Sequence, residues 1–213
     1  MGNLDGHIAV VTGASRGIGR GIAIGLGEQG ATVYVTGRST GDQPRTIDTT
    51  AREVTEAGGK GIPVQTDHFN DDQIAAVFAK VKEDHGHLDI LVNNVFKIPD
   101  PPAWEGGFWE HPVSIWDDQV GIGLRGHYVA SWHAAPLLFE STKRPIIINI
   151  TSPAGLVYLF NSSYSVGKAG LDRLTHDMAV ELAPKNVTAL ALRPGPTRTE
   201  FIEDQAAQGI QVA

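Results

Sequence analysis

Tyr164 and Lys168 of the stretch Tyr164-Ser-Val-Gly-Lys168 are four residues apart. In a helix this spacing places both side chains on one face. A nearby ammonium group favours the tyrosinate, so Lys168 would lower the pKa of the phenol from about 10 toward neutral pH. Tyr164 is therefore a candidate general acid and base, and Ser152 could hydrogen-bond a substrate carbonyl. An exposed helical pair is the ordinary alternative, because this spacing is common by chance.

A glycine-rich segment, TGASRGIG at positions 12–19, could bind a phosphate. It follows a short apolar run and precedes a helical pattern. Glycines at such a turn let the backbone approach a pyrophosphate, whose charge the N-terminus of the next helix stabilises. The spacing G-x-x-x-G-x-G differs from the common G-x-G-x-x-G, and a purely structural turn is the alternative. The candidate cofactor ligands in this loop are Gly13, Ser15, Arg16, Gly17, Ile18 and Gly19.

The end of the second apolar run should distinguish between the two nicotinamide dinucleotides. An NAD site has a carboxylate there to accept from the ribose hydroxyls. This chain instead has Thr36-Gly-Arg-Ser39, without an acid. Arg38 could pair with a 2′-phosphate, and Arg16 projects from the glycine loop toward the same region. Although either arginine alone could be an ordinary surface charge, the pair favours NADP(H) over NAD(H).

Short apolar runs alternate with helical patterns along the whole chain, which predicts a doubly wound α/β fold with a parallel sheet, the Rossmann fold. The predicted strands are 7–12, 31–36, 61–66, 88–92, 145–151 and 187–193. The predicted helices are 17–29, 46–57, 72–84, about 114–141 and 164–183. Residues 1–213 are expected to form one domain, and the proline-rich stretch 97–112 is a candidate binding loop.

Composition excludes several other classes of protein. The chain has 213 residues, a formal net charge of -7 and no cysteine. The charge argues against a nucleic-acid partner, and the absence of cysteine excludes disulfide scaffolds and thiol catalysis. No signal peptide or membrane segment is predicted, so a cytoplasmic location is expected. His85 and His87 lack a third metal ligand nearby in sequence, and no metal site is predicted.

Taken together, the motifs resemble the short-chain dehydrogenase/reductase (SDR) family. The glycine loop, Asn93-Asn94, Ser152, the Tyr-x-x-x-Lys pair and Pro194-Gly195 occur in the family's order, and the resemblance covers essentially the whole chain. The segments 108–110, 116–118 and 123–128 are most similar to the subgroup of dehydrogenase/reductase SDR family member 1. Relative to that family, the chain ends before the usual last strand, so an exposed edge strand is expected.

The resemblance implies roles for individual residues. Ser152, Tyr164 and Lys168 would be catalytic, and Lys168 would also bind the nicotinamide ribose. Asn93 would hold the glycine loop and the sheet end near the adenosine ribose. The further residues that would bind the cofactor are Asp67, at the adenine, Pro194, Gly195, and Thr197 and Thr199, at the carboxamide. Ordinary helix caps are the alternatives for two of these, Asp67 for the helix near Asp71 and Thr199 for the last helix.

The expected activity is hydride transfer between NADP(H) and a hydrophobic ketone, aldehyde or secondary alcohol. An apolar pocket wall would suit such a substrate, although local packing is the alternative for its aromatic residues. The candidates for this wall are Phe96, Trp104, Phe108, Trp109, Tyr158 and Phe160. The alternative functions are a sensor or scaffold of the same fold with weak catalysis, and a family enzyme of other redox chemistry such as enoyl reduction.

The family also implies a homodimer or homotetramer that pairs through the helices predicted at 114–141 and 164–183. This pairing has some support from apolar residues on the two helices. These residues are Leu137, Leu138, Leu171 and Leu174.

Two departures from the family pattern lie near the expected active site. The sequence Asn93-Asn-Val-Phe96 stands where many members have Asn-Asn-Ala-Gly, which makes the cofactor wall bulkier. Gly123 stands where an asparagine often completes a proton relay. We therefore predict that the long helix is kinked near Gly123, that a freed carbonyl or a water lies within reach of Lys168, and that proton supply uses this substitute path. The alternative is that Gly123 relieves crowding from Tyr128 or Phe96.

Overall fold

All six apolar runs form strands of one parallel sheet in the computed structural model, which describes residues 2–100, 102–103 and 105–209. The strand order is β3-β2-β1-β4-β5-β6. The strands are β1 (Ile8–Val11), β2 (Thr32–Gly37), β3 (Lys60–Gln65), β4 (Ile90–Asn93), β5 (Ile146–Ile150) and β6 (Thr188–Leu192). The order reverses between β1 and β4, as in a doubly wound fold, so the predicted fold class is confirmed.

Helices cover both faces of the sheet because successive strand residues point to opposite sides. Val10 and Leu91 pack in one buried cluster with the helices at 71–85, 127–139 and 162–182, whereas Val11 and Val92 pack in a second cluster with the helices at 17–28 and 47–56. The helices with long regular α geometry are α1 (Gly17–Glu28), α2 (Ile47–Glu56), α3 (Asp71–His85), α5 (His127–Phe139) and α6 (Ser162–Leu182). Double burial explains why the strands are apolar runs rather than alternating patterns.

Side chains at the helix N-termini determine where several helices begin. The Asn70 side chain accepts from the backbone N–H groups of Asp72 and Gln73. The alternative that Asp67 caps this helix is therefore wrong. Thr199 does cap the last helix, α7 (Glu200–Ala207), through an acceptor contact of 3.5 Å with the N–H of Ile202.

The long helix predicted at 114–141 is present but is not α-helical throughout. It starts with the single turn α4 (Ser114–Trp116), continues as a π-helical stretch, Asp117–Gly126, and ends as α5. We call Asp117–Gly126 the π segment. Gly123 lies within it and is buried. The helix therefore departs from regular α geometry at Gly123, because a π-helix is wider than an α-helix and has i→i+5 hydrogen bonds, and the kink itself stays a prediction.

The leucines that were expected to support pairing between subunits are used within the subunit. Leu137, Leu138 and Leu171 are 5%, 0% and 0% exposed and belong to the core, and Leu174 packs against that core. That expectation is wrong for these residues, because they lie on the sides of the helices that face the sheet. The outer faces of α5 and α6 instead expose Trp132, Phe139 and Val180.

The edges of the sheet are β3 and β6 within the described part of the chain. Leu190 and Leu192 of β6 are 36% and 47% exposed. Over the same residues, no helix is both long enough and apolar enough to cross a membrane.

Two histidines are buried beneath the carboxyl edge of the sheet. Burial lowers the pKa of His68 to about 4, although the charge of Asp67 acts in the opposite direction. Burial, and then the charge of Lys168, lower the pKa of His127 to about 3. Both imidazoles are therefore neutral at physiological pH.

We expect the free energy of unfolding to fall as the pH drops from about 6.5 toward 4. The unfolded chain takes up protons on its histidines in this window, whereas folded His68 stays neutral until about pH 4. The loss for one such histidine is on the order of 3 kcal/mol. Urea unfolding between about pH 6.5 and 4 measures this loss. His68→Gln should reduce the slope of the unfolding free energy against pH, and His176→Gln, at an exposed position, should leave that slope unchanged. An unchanged slope in His68→Gln would contradict the expectation.

Candidate active site

The predicted functional residues meet at the carboxyl edge of the sheet. The glycine loop follows β1, Asn94 follows β4, and Ser152 follows β5. Because neighbouring parallel strands end at the same edge, these three segments lie side by side. The reversal of strand order between β1 and β4 opens the crevice in which ligands of such sheets bind.

The glycine loop packs closely against the turn that follows β4. Gly13 has a φ of +64°, and a Cβ there would lie 2.6 Å from Cα of Val95. A Cβ on Gly19 would lie 2.4 Å from Nδ2 of Asn94. Only glycine fits at these two positions without displacing backbone or a bonded amide, so the loop presents bare backbone at the start of α1.

Asn94, and not Asn93, holds the glycine loop. The Asn94 side-chain amide donates to the carbonyl oxygens of Thr12 and Gly13, each at 3.0 Å. The backbone N–H groups of Asn94 and Val95 donate to Thr12 Oγ1 at 2.9 and 3.1 Å. The role expected for Asn93 therefore belongs to its neighbour, because consecutive residues at the end of a strand point in opposite directions.

Asn93 instead anchors the sheet to the helices on its other face. Its side-chain amide donates to Ser131 Oγ and to Asn149 Oδ1, both at 2.9 Å. Asn149 in turn donates to Thr175 Oγ1 at 2.8 Å. All four residues are buried, and their hydrogen bonds join β4 and β5 to α5 and α6. Asn93 is therefore a structural residue in this arrangement, and a contact with a cofactor stays a prediction.

The region expected to recognise a 2′-phosphate contains the two predicted arginines and one residue that was not predicted. Arg16 and Arg38 are both exposed. The Arg16 guanidinium donates to Ser39 Oγ at 3.2 Å, which brings the glycine loop and the end of β2 together. The Arg38 carbonyl accepts from Gln65 Nε2 at 3.2 Å. Arg16, Arg38 and Ser39 thus offer donors of the kind that bind a phosphate.

The segment that follows β6, residues 193–200, packs against the glycine loop. A Cβ on Gly17 would lie 3.5 Å from Cγ2 of Thr199, and the N–H of Gly17 donates to Glu200 Oε2 at 2.7 Å. Thr197 donates to the carbonyl of Gly195 at 2.9 Å. Thr199 therefore lies beside the glycine loop, and the Glu200 carboxylate accepts a hydrogen bond from the first backbone N–H of α1.

Asp67 follows β3 and closes a short turn. Its carboxylate accepts from the backbone N–H of Phe69 at 3.0 Å. This hydrogen bond does not test the role expected for Asp67, so its contact with adenine stays a prediction.

The α6 helix presents Tyr164 and Lys168 on consecutive turns, as predicted. Its N-cap, Asn161, accepts from the N–H of Tyr164 at 2.9 Å and donates to the carbonyl of Ala103 at 3.0 Å. Asn161 thereby sets the first turn of α6 and holds part of the 97–112 stretch against it. The Lys168 ammonium donates to the carbonyl of Ile150, the last residue of β5, at 3.0 Å.

Burial governs the protonation of the catalytic candidates. Burial raises the pKa of Tyr164 above its usual value, and a hydrogen bond with Ser152 partly opposes this change. Burial also lowers the pKa of Lys168 to about 8, against the charge of Asp172. The expected lowering of the Tyr164 pKa is therefore wrong for this structure, because loss of hydration outweighs the hydrogen bond with Ser152.

The predicted aromatic wall is divided between two places. Phe96 and Phe160 both contact the Tyr164 ring, with centroid separations of 5.2 and 5.4 Å. Phe108 and Trp109 lie on a short 3₁₀ helix with their rings 70% and 75% exposed. Tyr158 is also exposed and donates to the carbonyl of Phe160 at 3.2 Å. Trp104 lies outside the described residues.

Gly123 faces Phe96. A Cβ at position 123 would lie 3.3 Å from Cδ2 of Phe96, which is tighter than ordinary van der Waals contact. The alternative that Gly123 relieves crowding from Phe96 is therefore confirmed. The Lys168 ammonium donates to the carbonyl of Ile150 of β5 and, among the described residues, makes no hydrogen bond to a carbonyl of the π segment, so the predicted substitute path has no direct bond here. The expected water stays a prediction.

Sequence reasoning missed four residues that shape this site. Asn161 could have been found, since asparagine three residues before Tyr164 at a helix start is typical of an N-cap. The roles of Asn94, Ser39 and Glu200 have no local signal, because each depends on a contact with a distant segment. In the described part of the chain, no group of three or more His, Asp or Glu side chains could hold a metal ion.

Comparison with known proteins agrees with this geometry. A family model described as short chain dehydrogenase matches residues 7–209. Dehydrogenase/reductase SDR family member 1 of Mus musculus is 43% identical over 208 residues, which cover 96% of this chain and 65% of that protein. The Homo sapiens protein of the same name is 41% identical over the same shares. The chain thus spans about two thirds of the length of these curated relatives.

A solved structure of a metagenomic short-chain oxidoreductase in complex with NADP has a TM-score of 0.80 and 33% identity to this chain. The alignment covers 98% of this chain and 93% of that one. The six-stranded parallel sheet agrees with the family match over residues 7–209. We conclude that the chain belongs to the short-chain dehydrogenase/reductase family and is similar to its member 1.

Proposed function

We propose that the chain is an NADP(H)-dependent oxidoreductase that transfers a hydride between the cofactor and a hydrophobic ketone, aldehyde or secondary alcohol. The observation that carries this proposal is the placement of half-buried Tyr164, packed between Phe96 and Phe160, one helical turn before buried Lys168 and at the sheet edge that carries Ser152 and the glycine loop. The family supports oxidoreductase chemistry in general. The substrate class and the roles below are the proposed part.

The residues at the sheet edge fit a dinucleotide phosphate. The bare backbone at Gly13 and Gly19 leaves a cradle that a Cβ would fill. The first turn of α1 contains no acidic residue of its own, and its N-cap residue makes no side-chain capping bond. The Glu200 carboxylate accepts from the N–H of Gly17 in this structure and would have to give up that N–H to a bound diphosphate. Such a helix start suits a diphosphate. Among known structures of the family, the metagenomic relative is in complex with NADP.

Arg16, Ser39 and Arg38 would hold a 2′-phosphate in this arrangement. Thr199 would lie beside the glycine loop, and Lys168 would reach the nicotinamide ribose. The other residues proposed to bind the cofactor are Ser15, Gly17, Ile18, Asp67, Asn93, Tyr164, Pro194, Gly195 and Thr197.

The bound cofactor would supply the hydride chemistry, and the chain would orient the substrate and move the proton. Ser152 and Tyr164 would donate hydrogen bonds to the carbonyl oxygen in the direction of reduction. Because burial raises the pKa of Tyr164, its phenol stays protonated at neutral pH and can act as the general acid. Lys168, whose pKa is lowered to about 8, is close enough to neutrality to exchange a proton with its surroundings.

Exposed apolar residues near Ser152 support a hydrophobic substrate. Leu156, Val157 and Tyr158 follow it on the connection to α6 and are 71%, 58% and 68% exposed. Phe108 and Trp109 add two more exposed aromatic rings from the 97–112 stretch. A group of exposed apolar side chains commonly marks a ligand or partner site.

We expect the chain to bind NADP(H) at least about tenfold more tightly than NAD(H). Two exposed arginines surround the proposed 2′ position, and no carboxylate ends β2. Isothermal titration with both cofactors measures the preference. Arg38→Asp should reverse the order, whereas Arg173→Ala, on the exposed side of α6, should not change it. Equal affinities in the wild-type protein would refute the preference.

Tyr164→Phe should lower the rate of carbonyl reduction by about a hundredfold or more and spare NADPH affinity, because it removes only the proton-donating hydroxyl. The control Tyr128→Phe loses the same atom from a half-exposed ring away from the site. Lys168→Met should weaken both turnover and cofactor binding. NADPH absorbance against a panel of apolar carbonyls and enones measures the rates and separates carbonyl from enoyl reduction. A Tyr164→Phe protein with most of its reductase rate would rule out this mechanism.

We also propose that the chain forms a homodimer or homotetramer through the outer faces of α5 and α6. Exposed Trp132, Phe139 and Val180 lie on these helices. Light scattering at micromolar concentration should therefore show a species larger than 22.7 kDa. Trp132→Glu should reduce its size, because it would bury a charge in the interface. A wild-type species of 22.7 kDa alone would count against this assembly.

A further inference from the structure

Phe96 contacts three parts of the candidate site at once. Its ring makes a T-shaped contact with the Tyr164 ring, with centroids 5.2 Å apart and an interplanar angle of 65°. The Lys168 ammonium lies 5.3 Å from the centroid of the same ring, within the range of a cation–π interaction. A Cβ added to Gly123 would lie 3.3 Å from the ring. One side chain therefore touches the proposed acid, the proposed ammonium and the π segment.

The backbone that carries Phe96 is held on both sides. The N–H of Val95 donates to Thr12 Oγ1 at 3.1 Å, and the carbonyl of Val95 accepts from Nε2 of His127 at 2.8 Å. His127 is fully buried at the start of α5, directly after the π segment. The position of the Phe96 ring is thus determined by β1 on one side and by the long helix on the other.

Tyr164 itself packs in an aromatic surrounding. It contacts Phe160 as well as Phe96, and both contacts have the T-shaped geometry that aromatic rings prefer. Such packing restricts the rotation of the phenol. Loss of the Phe96 ring would therefore let Tyr164 and the Lys168 ammonium take other positions.

The glycine in the π segment makes this packing possible. A contact of 3.3 Å between a new Cβ and Cδ2 of Phe96 would force the ring to shift by a few tenths of an ångström. By contrast, a Cβ on Gly121 of the same segment would make an ordinary contact of 3.6 Å with Phe69. The two glycines therefore form a matched pair in which only one is adjacent to the site.

We propose that Phe96 is a positioning residue, whose ring orients the Tyr164 phenol and holds the Lys168 ammonium, and that Gly123 leaves the space for that ring. This inference rests on the proposed function and adds to it a role that differs from a pocket wall. A wall residue would act on substrate affinity. A positioning residue acts on the phenol even when no substrate is present.

The first test replaces the ring while keeping apolar volume. Phe96→Leu should lower kcat by about tenfold, since small displacements of reacting groups are costly, with the KM for the carbonyl substrate changed less than about twofold. Phe96→Tyr keeps a ring and should retain most of the rate. Thermal unfolding verifies that both variants fold.

A second readout needs neither cofactor nor substrate. The chain has four tyrosines, so ¹³Cζ-tyrosine NMR can follow Tyr164, with Tyr164→Phe providing the assignment. In Phe96→Leu, the Tyr164 signal should shift and titrate at a different pH. The signals of Tyr34 and Tyr128 should not change. An unchanged Tyr164 signal together with an unchanged kcat would overturn the proposal.

A double-mutant cycle tests the pairing with Gly123. Gly123→Ala should lower kcat and shift the Tyr164 signal, whereas Gly121→Ala should do neither. In the Phe96→Leu background the Gly123→Ala effect should largely disappear, because no ring is left to displace. The proposal would also be overturned if Gly123→Ala had the same effect in the wild-type and Phe96→Leu proteins. A raised KM with an unchanged kcat in Phe96→Leu would overturn it as well, since that result indicates a pocket wall. A wild-type protein that reduces no carbonyl would refute the proposed function, and the NMR cycle would still decide the packing claim.

Discussion

The candidate site depends on the close contact between the glycine loop and the turn after β4. Thr12 Oγ1 accepts hydrogen bonds from two consecutive N–H groups of that turn, and the Asn94 amide returns two bonds to the loop. A Cβ on Gly13 would lie 2.6 Å from Cα of Val95, so a larger residue would separate the two segments. This contact determines both the backbone available to a phosphate and the place from which Phe96 extends toward Tyr164.

Below this edge, a buried polar network keeps the helices in a single arrangement. Asn93 bonds to Ser131 of α5 and to Asn149 of β5, which bonds to Thr175 of α6. Buried amides and hydroxyls need partners, and an alternative packing of the helices would leave several of them unpaired. Because α6 also carries Tyr164 and Lys168, the network that holds this helix against β5 also sets the register of the catalytic candidates.

Burial, more than attraction between charges, sets the protonation of the site. It favours the neutral phenol of Tyr164 and, in the opposite direction, makes the Lys168 ammonium easier to deprotonate. The same cause keeps His68 and His127 uncharged. The phenol is therefore held in the form that donates a proton, and Ser152 is the partner that moderates this preference. The Phe96 ring packs on both Tyr164 and Lys168 and so helps to exclude water from the two side chains.

The sequence alone was sufficient to predict the strands and main helices, the parallel sheet, and the grouping of Ser152, Tyr164 and Lys168 with the glycine loop. The strands, helices and sheet follow from local patterns, because apolar periodicity, glycine turns and helical spacing act over a few residues, whereas the grouping of the catalytic candidates with the loop came from the resemblance to the family. Only the tertiary structure showed that Asn94 rather than Asn93 holds the loop, and that Leu138 and Leu171 belong to the core. It also decided the direction of the Tyr164 pKa shift and the pairing of Gly123 with Phe96. Each of these depends on which distant segments pack together and how much water they exclude, which local patterns do not record.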